Sequence, residues 1–132
     1  MKGVEKMADK QNYVIHMEPN FGFLKMIDVP TLIAECKEKW FNQTLCKVNG
    51  CLVRLGVFNE GEFHWHKHDN EDEFFFVLKG VLHVEFENES VALELHQGIT
   101  VPKGVMHRTF VNEPTAVLMF EGDSVTPTGD GE

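Results

Sequence analysis

The sequence predicts an all-β domain, a sandwich or barrel of short strands preceded by one short helix. From residue 44 onward, short runs of Val, Leu, Ile and Phe alternate with turn sequences such as NG, NEG, KG and HQG. Turns at this spacing, with hardly any helical periodicity between them, are typical of antiparallel sandwiches and barrels. The chain has 132 residues, enough for one hydrophobic core and too short for two comfortable ones. We therefore expect one domain.

The helix is predicted in the segment DVPTLIAECKEKW, residues 28–40. Asp28 and Pro30 are typical of the first turn of a helix, where proline removes no hydrogen bond. Apolar side chains then recur at helical spacing and should face the core: Leu32, Ile33, Cys36 and Trp40. Nothing in this segment indicates a functional site.

Nine strands are predicted after the helix. Asn49 and Gly50 lie between TLCKV and CLVRLGVF, which predicts a two-residue hairpin between the first two strands. The predicted strands cover residues 44–48, 51–58, 62–68, 73–79, 81–87, 91–95, 99–102, 105–111 and 116–121.

The two ends of the chain differ in composition from the region between them. Residues 1–10 are polar and aperiodic, and residues 122–132 are rich in Gly, Thr, Pro and acid. We therefore predict a flexible tail at 1–10, a single domain at 11–121 with its barrel core at about 44–121, and a C-terminal extension at 122–132.

Charge and cysteine content narrow the possible partners and the compartment. The net charge of -9 repels nucleic-acid phosphates and anionic lipids, so neither nucleic acid nor a membrane surface is an expected partner. The cysteines Cys36, Cys46 and Cys51 form an odd set without C-x-x-C spacing, which favours free thiols in a reducing cytoplasm. The first ten residues lack the apolar stretch of a signal peptide. A soluble, cytoplasmic protein is expected.

The stretch FHWHKHDNEDEFFFVLKG, residues 63–80, carries the strongest sign of a site. In a strand, His64, His66 and His68 would point to one face, close enough for two imidazoles to share an ion. Imidazole is a ligand that suits zinc, iron, copper and nickel. A solvated polar strand face is the alternative, and the alternating histidines alone leave both interpretations open.

The rest of this stretch resembles the first motif of the cupin family. In that motif, H-x-H is followed after three or four residues by a glutamate, and after six more by a glycine. The matching residues are His66, His68, Glu73 and Gly80, so the resemblance implies that the first three bind a metal. His64 then lies one step outside the ligand pair. It could donate a hydrogen bond to a ligand, carry protons as a catalytic residue, or simply fill space.

Glu73 also differs from its acidic neighbours in position. Asp69, Glu71 and Asp72 precede the apolar run and predict a solvated loop, whereas Glu73 begins the strand and shares a face with Phe75. A carboxylate buried without a partner is costly, and a cation offsets that cost.

A second cupin motif, P-x-G-x-x-H, is matched by VPKGVMHRTF. Pro102 and Gly104 predict a tight turn, and the resemblance implies that His107 is a fourth ligand. Two positions depart from the family pattern. Residue 96 is His where the family usually has glycine, and residue 111 is Val where it usually has asparagine. Neither position supplies a ligand.

The resemblance, which spans about residues 44–121, implies fold, cofactor and function together. The expected fold is the cupin double-stranded β-helix, a jelly-roll barrel, with a divalent metal inside it, either Fe, Mn, Ni or Zn. The implied function is a metal-dependent enzyme of the dioxygenase, isomerase or lyase type that acts on a small organic molecule. A non-catalytic cupin that binds or senses a small ligand is the alternative. The sequences of the two motifs, together with the closing PTGD, resemble those of the small single-domain cupins described as mannose-6-phosphate-isomerase-like.

Two further expectations concern side chains outside the ligand set. By strand alternation, Arg108 should face away from the metal and Thr109 should face inward. Cupin barrels commonly pair through an outer sheet face, and a homodimer is expected here. The apolar residues predicted to line that face are Phe74, Phe76, Leu78 and, on the neighbouring strand, Trp65.

Overall fold

A computed structural model describes residues 13–125 and Gly129 of the chain. The tail predicted at 1–10, and most of the extension predicted at 122–132, lie outside the described residues. The elements are β1 (Tyr13–His16), α1 (Val29–Glu35), β2 (Trp40–Val48), β3 (Cys51–Phe58), β4 (Gly61–Glu62), β5 (Glu73–Lys79), β6 (Leu82–Phe86), β7 (Ser90–Leu93), β8 (Gly98–Val101), β9 (His107–Val111) and β10 (Thr115–Gly122).

Two sheets pack face to face and enclose the core. The larger has six strands in the order β1-β2-β3-β10-β5-β8, and the smaller has four in the order β4-β9-β6-β7. All pairings are antiparallel except β1 with β2. Within the described residues, the sheets stay separate and form the sandwich of a jelly roll. The predicted all-β jelly-roll class with a short N-terminal helix is confirmed.

The core between the sheets is rich in aromatic side chains. Trp40 is almost completely buried and stacks on Phe58, with ring centroids 4.0 Å apart. Each large apolar side chain buried in this way contributes roughly 1.5–3 kcal/mol to the free energy of unfolding. The other buried apolar residues of this cluster are Tyr13, Phe63, Phe75, Val77, Leu82, Val84, Leu93, Val101, Val111, Val117 and Met119.

A second apolar cluster lies under the helix, on the outer face of the larger sheet. Leu32 and Ile33 of α1 pack against the buried strand residues Leu45, Leu55 and Val57. Strands β2 and β3 are therefore covered on both faces, which explains why the sequence of β3, CLVRLGVF, is a nearly continuous apolar run. Among the described residues, no helix is long and apolar enough to span a membrane.

The helix is shorter than its apolar spacing predicts. It ends at Glu35, and Trp40 is the first residue of β2 rather than the last residue of the helix. The assignment of Trp40 to the helix is wrong because its ring is buried between the sheets, where only a strand position can place it. Strand β1 was not predicted, since its four residues follow a polar, aperiodic stretch.

The predicted strand bounds agree best with the observed bounds in strands that are covered on both faces. Strands β3 and β5 have the predicted bounds, 51–58 and 73–79, and most other strands differ by one or two residues at an end. The first strand is the exception, because β2 begins at Trp40, four residues before the predicted start.

The continuous strand predicted at 62–68 is wrong. Only Gly61–Glu62 forms a strand, and beyond it only an isolated antiparallel bridge joins His66 to His107. Glu62 pairs with Phe110, and His66 pairs with His107. The four residue steps from Glu62 to His66 therefore lie opposite only three steps along β9. The extra residue is a bulge, which changes the side-chain alternation. As a result, Phe63 points into the core although simple alternation predicts the opposite face.

Gly80 ends β5 in a conformation that other residues rarely adopt, with φ of 76°. A Cβ atom there would lie 2.5 Å from the carbonyl oxygen of Pro114 and 2.5 Å from Oγ1 of Thr115. We expect Gly80→Ala to lower the free energy of unfolding by at least about 2 kcal/mol, from backbone strain and crowding together. Urea denaturation measures this loss. Gly50→Ala is the control, since a Cβ there meets nothing within 4 Å, and an equal loss in both variants would contradict the explanation.

Candidate metal centre

Four side chains predicted to bind metal meet in the interior between the sheets. His66 and His68 lie in the connection between β4 and β5, Glu73 is the first residue of β5, and His107 is the first of β9. All four are buried, and one ligand atom from each lies within 4.8 Å of the others. The structure therefore brings together residues from both sheets and from the irregular connection that joins them.

Backbone hydrogen bonds hold the two sequence motifs side by side. The amide of His66 donates to the carbonyl oxygen of His107 at 2.9 Å, and the amide of His107 donates back at 2.8 Å. The amide of Gly104 donates to the carbonyl of His68 at 2.8 Å. Gly104 adopts a φ of 82°, so the turn that carries this amide depends on the glycine. These contacts fix the histidines relative to one another.

Backbone carbonyl groups set the orientation of two of the imidazole rings. Nδ1 of His66 lies 2.9 Å from the carbonyl oxygen of His64, and Nδ1 of His107 lies 2.9 Å from that of Val105. Since a carbonyl only accepts, each Nδ1 carries the proton of the neutral ring. Nε2 of each ring is then left with a free lone pair, the form that binds a metal.

The atoms that face one another in this cluster lack hydrogen-bond partners. Nε2 of His68 and Nε2 of His107 each lie 3.4 Å from Oε1 of Glu73. All three atoms are buried, and none has a hydrogen-bond partner among the residues that the structure describes. Such groups are costly unless something pairs with them, and three imidazoles with one carboxylate form a donor set that suits a divalent transition metal. The residues present thus fit a metal ion.

The charge states of the cluster suit metal binding. Burial and, to a smaller extent, the nearby His107 together lower the pKa of His66 to about 3. Burial alone would raise the pKa of Glu73, but contacts with His107 and His68 outweigh it and hold this pKa well below its ordinary value. A neutral imidazole and an ionised carboxylate are the forms that ligate a metal.

His64 lies beside the cluster and outside the four-residue group. Its half-buried ring is 5.4 Å from the ring of His66 and 4.6 Å from the ring of Phe63, measured between centroids. Its clearest contribution is through the backbone, because its carbonyl oxygen orients the ring of His66.

The acids of the connecting loop behave as solvated residues. Asp69 and Asp72 are exposed, and Asp72 accepts a hydrogen bond from the amide of Lys103 at 2.9 Å. Glu71 is half-buried and accepts a hydrogen bond from the hydroxyl of Ser124. None of the three belongs to the buried ligand cluster.

Strand β9 has the predicted facing. Thr109 is buried, whereas Arg108 lies outside, 2.6 Å from Oε1 of Glu85 and 5.6 Å from the ring of Trp65. This contact corrects one expectation. Trp65 lies next to β9 of the smaller sheet and not on a strand beside β5, because the connection crosses from one sheet to the other after it.

His96 explains one departure from the family motif. Residue 96 adopts a φ of 68°, the left-handed conformation that favours glycine. The histidine therefore takes up the turn geometry without the glycine, and its ring stacks on Phe76 at 6.3 Å. Strand β8 begins two residues later, at Gly98.

Sequence reasoning missed a second buried polar group, centred on Arg54 and Glu121. Arg54 lies on β3 and Glu121 on β10, directly opposite Glu73 in the strand register. The Arg54 and Glu121 side chains are only 2% and 1% exposed. The available signal was a single arginine within the apolar run CLVRLGVF, where a charged side chain on a doubly covered strand needs a buried partner.

Arg54 and Glu121 are close enough to the candidate ligand Glu73 for its charge to affect both of them. Burial raises the pKa of Glu121 well above its ordinary value, and the charge of Glu73 raises it further. Burial lowers the pKa of Arg54, while the neighbouring carboxylates act in the opposite direction. The two groups line one interior cavity together with Glu73 and His66, two of the candidate metal ligands.

The chain is similar to one family of known domains. A sequence model of the Cupin domain family matches residues 56–123. The uncharacterized protein YdbB of Bacillus subtilis (strain 168) is 41% identical to this chain over 79 residues, which make up 59% of this chain and 69% of YdbB.

Solved structures resemble the fold. A cupin-2 domain containing protein from Shewanella frigidimarina NCIMB 400 matches with a TM-score of 0.69 at 27% identity, over 74% of this chain and 94% of that chain. A chain from the crystal structures of the DMSP lyases RdDddP and RnDddQII matches with a TM-score of 0.51 at 20% identity, over 57% of this chain and 40% of that chain. The second likeness shows the fold alone.

The lowered pKa of His66 predicts how the metal-free protein responds to acid. The folded protein keeps this ring neutral to about pH 3, whereas the unfolded chain protonates it near pH 6.5. Between these values the unfolded state binds more protons, so stability is highest above pH 6.5 and falls as the pH decreases. This group contributes a loss of up to about 1.4 kcal/mol per pH unit. Urea midpoints from pH 7.5 to 4 measure it. His66→Gln should show a shallower decline, and an equal decline would contradict the assignment.

Proposed function

The chain belongs to the cupin family, and we propose that it is a metal-dependent cupin enzyme acting on a small organic molecule. The reaction classes that suit such a centre are those of a dioxygenase, an isomerase or a lyase. The proposed ligands are His66, His68, Glu73 and His107. Iron, manganese, nickel and zinc are the candidate ions.

One observation carries this proposal: buried donor atoms without partners converge beside a cavity. A structural zinc site is typically closed by four ligands, often thiolates, whereas this set contains no cysteine. Three neutral imidazoles and one carboxylate leave net positive charge on a divalent ion and, in octahedral geometry, two open positions. The adjoining cavity gives a small molecule access to that side of the ligands.

The bound ion would supply Lewis-acid or oxygen-activating chemistry, and the chain's own residues would orient and enclose the reactant. Phe63 and Phe75 form apolar walls that exclude bulk water, which strengthens electrostatic interactions at the ligands. Thr109 lines the same cavity, and its hydroxyl is a group that would donate a hydrogen bond to a bound oxygen atom. His64 stays our candidate for proton transfer, because its ring adjoins His66 and an imidazole can both donate and accept a proton.

Two finer assignments belong to the same proposal. The spacing of the two motifs supports kinship with the mannose-6-phosphate-isomerase-like cupins, which concerns the fold and not the reaction. The three free cysteines support a cytoplasmic location.

Elemental analysis of the purified protein tests the metal centre. We expect about one transition-metal ion per chain in the parent, and a loss of affinity of at least about 100-fold in His66→Ala and His107→Ala, since each removes a direct ligand. His83→Ala is the matched control, because His83 lies on β6 with its ring stacked on Phe110, outside the ligand group. A parent without stoichiometric metal, or ligand variants that keep it undiminished, would overturn the site.

The metal-loaded protein then distinguishes an enzyme from a binding module. Oxygen uptake and product formation are followed with small organic acids, carbonyl compounds and phenols. Turnover that disappears in Glu73→Gln supports the enzyme, whereas saturable binding without turnover across the panel supports the alternative of a ligand-binding cupin.

We also propose that the protein forms a homodimer through the outer face of the larger sheet. Half-buried aromatic rings adjoin one another there: Phe74 lies 6.4 Å from Phe76 and 5.8 Å from Phe120, between ring centroids. Leu78 is partly covered by the helix, and Trp65 belongs to the other sheet, so neither is central to this face. An apolar aromatic surface of this kind favours association.

A double substitution, Phe74→Glu with Phe76→Glu, should weaken this dimer by about 100-fold or more, because charge replaces the aromatic contact at its centre. Light scattering at micromolar concentration measures the effect. Val48→Glu, on an exposed residue beside the β2–β3 turn, is the control and should leave the mass unchanged. A parent that is monomeric under these conditions would contradict the dimer.

A further inference from the structure

Arg54 shares the interior cavity with the metal ligands Glu73 and His66, and we propose that it binds the carboxylate of a small anionic substrate. The other end of that substrate reaches the metal centre. This inference rests on the proposed function, since it concerns a molecule held between the guanidinium group and the metal ligands.

Arg54 is held in one orientation by the protein. Its Nε donates to Oγ1 of Thr44 at 2.9 Å, and its Nη2 donates to Oδ1 of Asn42 and to the carbonyl oxygen of His16 at 3.2 Å. These bonds fix the plane of the guanidinium group before any ligand arrives. A fixed, planar donor is well suited to carboxylate recognition.

The remaining nitrogen of Arg54 faces Glu121. Nη1 lies 3.6 Å from Oε2 of Glu121, longer than a hydrogen bond. Within the described part of the chain, both carboxyl oxygens of Glu121 are buried without a hydrogen-bond partner. A buried ion pair with such geometry recovers little of its desolvation cost, so this pair is poorly explained by stability alone. A ligand carboxylate would accept a hydrogen bond from Nη1 of Arg54, and a hydroxyl group on the same ligand would donate to Glu121.

The arrangement across the sheet sets the length of the ligand. Arg54 is on β3 and Glu73 on β5, with only β10 between them. Neighbouring strands are about 4.8 Å apart, so the two backbones are about 10 Å apart, and their side chains converge on the same cavity. The cavity has a volume of about 30 Å³, which is room for about two or three waters. This space limits the ligand to a carboxylate of about two carbons.

The formal charges favour a monoanion. With a divalent ion bound, Arg54 and the ion outweigh the carboxylates of Glu73 and Glu121 by one positive charge, even with both carboxylates ionised. An anionic molecule neutralises this excess inside an apolar shell, whereas a cation adds to it. The cavity is therefore selective for charge as well as for size.

The test uses manganese(II)-loaded protein with glycolate and its neutral amide, glycolamide, as probes. Both offer a hydroxyl oxygen to the metal, and only glycolate offers a charged carboxylate to Arg54. We expect isothermal titration to show glycolate bound about tenfold more tightly than glycolamide or better, as a charge-assisted hydrogen bond provides. In Arg54→Gln combined with Glu121→Gln, this preference should disappear while metal content is retained.

Two further variants keep the result interpretable. Glu121→Gln alone removes the competing carboxylate and should tighten glycolate binding by about threefold or more, which is an expectation independent of the double variant. Arg108→Gln with Glu85→Gln removes an ion pair on the outer face and should leave the preference unchanged.

The outcomes separate this inference from the proposed function. Protein that holds manganese but binds both probes equally overturns the role of Arg54 and leaves the metal centre intact. A preference for glycolate that persists in Arg54→Gln with Glu121→Gln also overturns the role of Arg54 and leaves the metal centre intact. Protein that holds no metal overturns the proposed function, and the role of Arg54 with it.

Discussion

The antiparallel bridge between His66 and His107 is the contact on which the candidate metal centre depends. Its two backbone hydrogen bonds join residues 41 positions apart in the sequence and place their imidazoles on the same interior face. The bulge that precedes the bridge lets both Phe63 and His66 point inward, so one irregular segment supplies an apolar wall and a ligand. The amide of Gly104 extends this contact to His68. The two motifs therefore form one hydrogen-bonded unit that neither could form alone.

The sequence predicts the ligands better than the backbone that carries them. The spacing from His66 to Glu73 and Gly80, and the turn before His107, match short cupin motifs, and such a resemblance can be recognised along the chain without knowledge of the fold. The irregular path of residues 63–68 depends on pairing with β9, far away in sequence, and an alternating pattern cannot reveal it. Trp40 was misassigned for a similar reason, since its spacing fits a helix while its burial requires a strand.

Arg54 and Glu121 show a different limit of sequence reasoning. A charged residue in a strand ordinarily indicates a solvated face. The apolar run around Arg54 indicates a strand covered on both faces, but nothing near Arg54 in the sequence identifies Glu121 as its buried partner. Only the fold shows that Glu121 is the cross-strand neighbour of Glu73. A proline or glycine turn can be recognised locally, but a buried charge can be recognised only once its surroundings are known.

The contrast between Glu73 and Glu121 follows from what each carboxyl group faces. Two buried carboxylates on neighbouring strands repel each other, so the environment favours ionisation of one over the other. Burial raises the pKa of both, but only Glu73 has two imidazoles close enough to reverse the effect, whereas Arg54 is too distant from Glu121 to do so. Because the two groups face the same cavity, charge brought to one changes the environment of the other. A molecule or ion that enters between them would therefore interact with Arg54 and Glu121 as well as with the four proposed ligands.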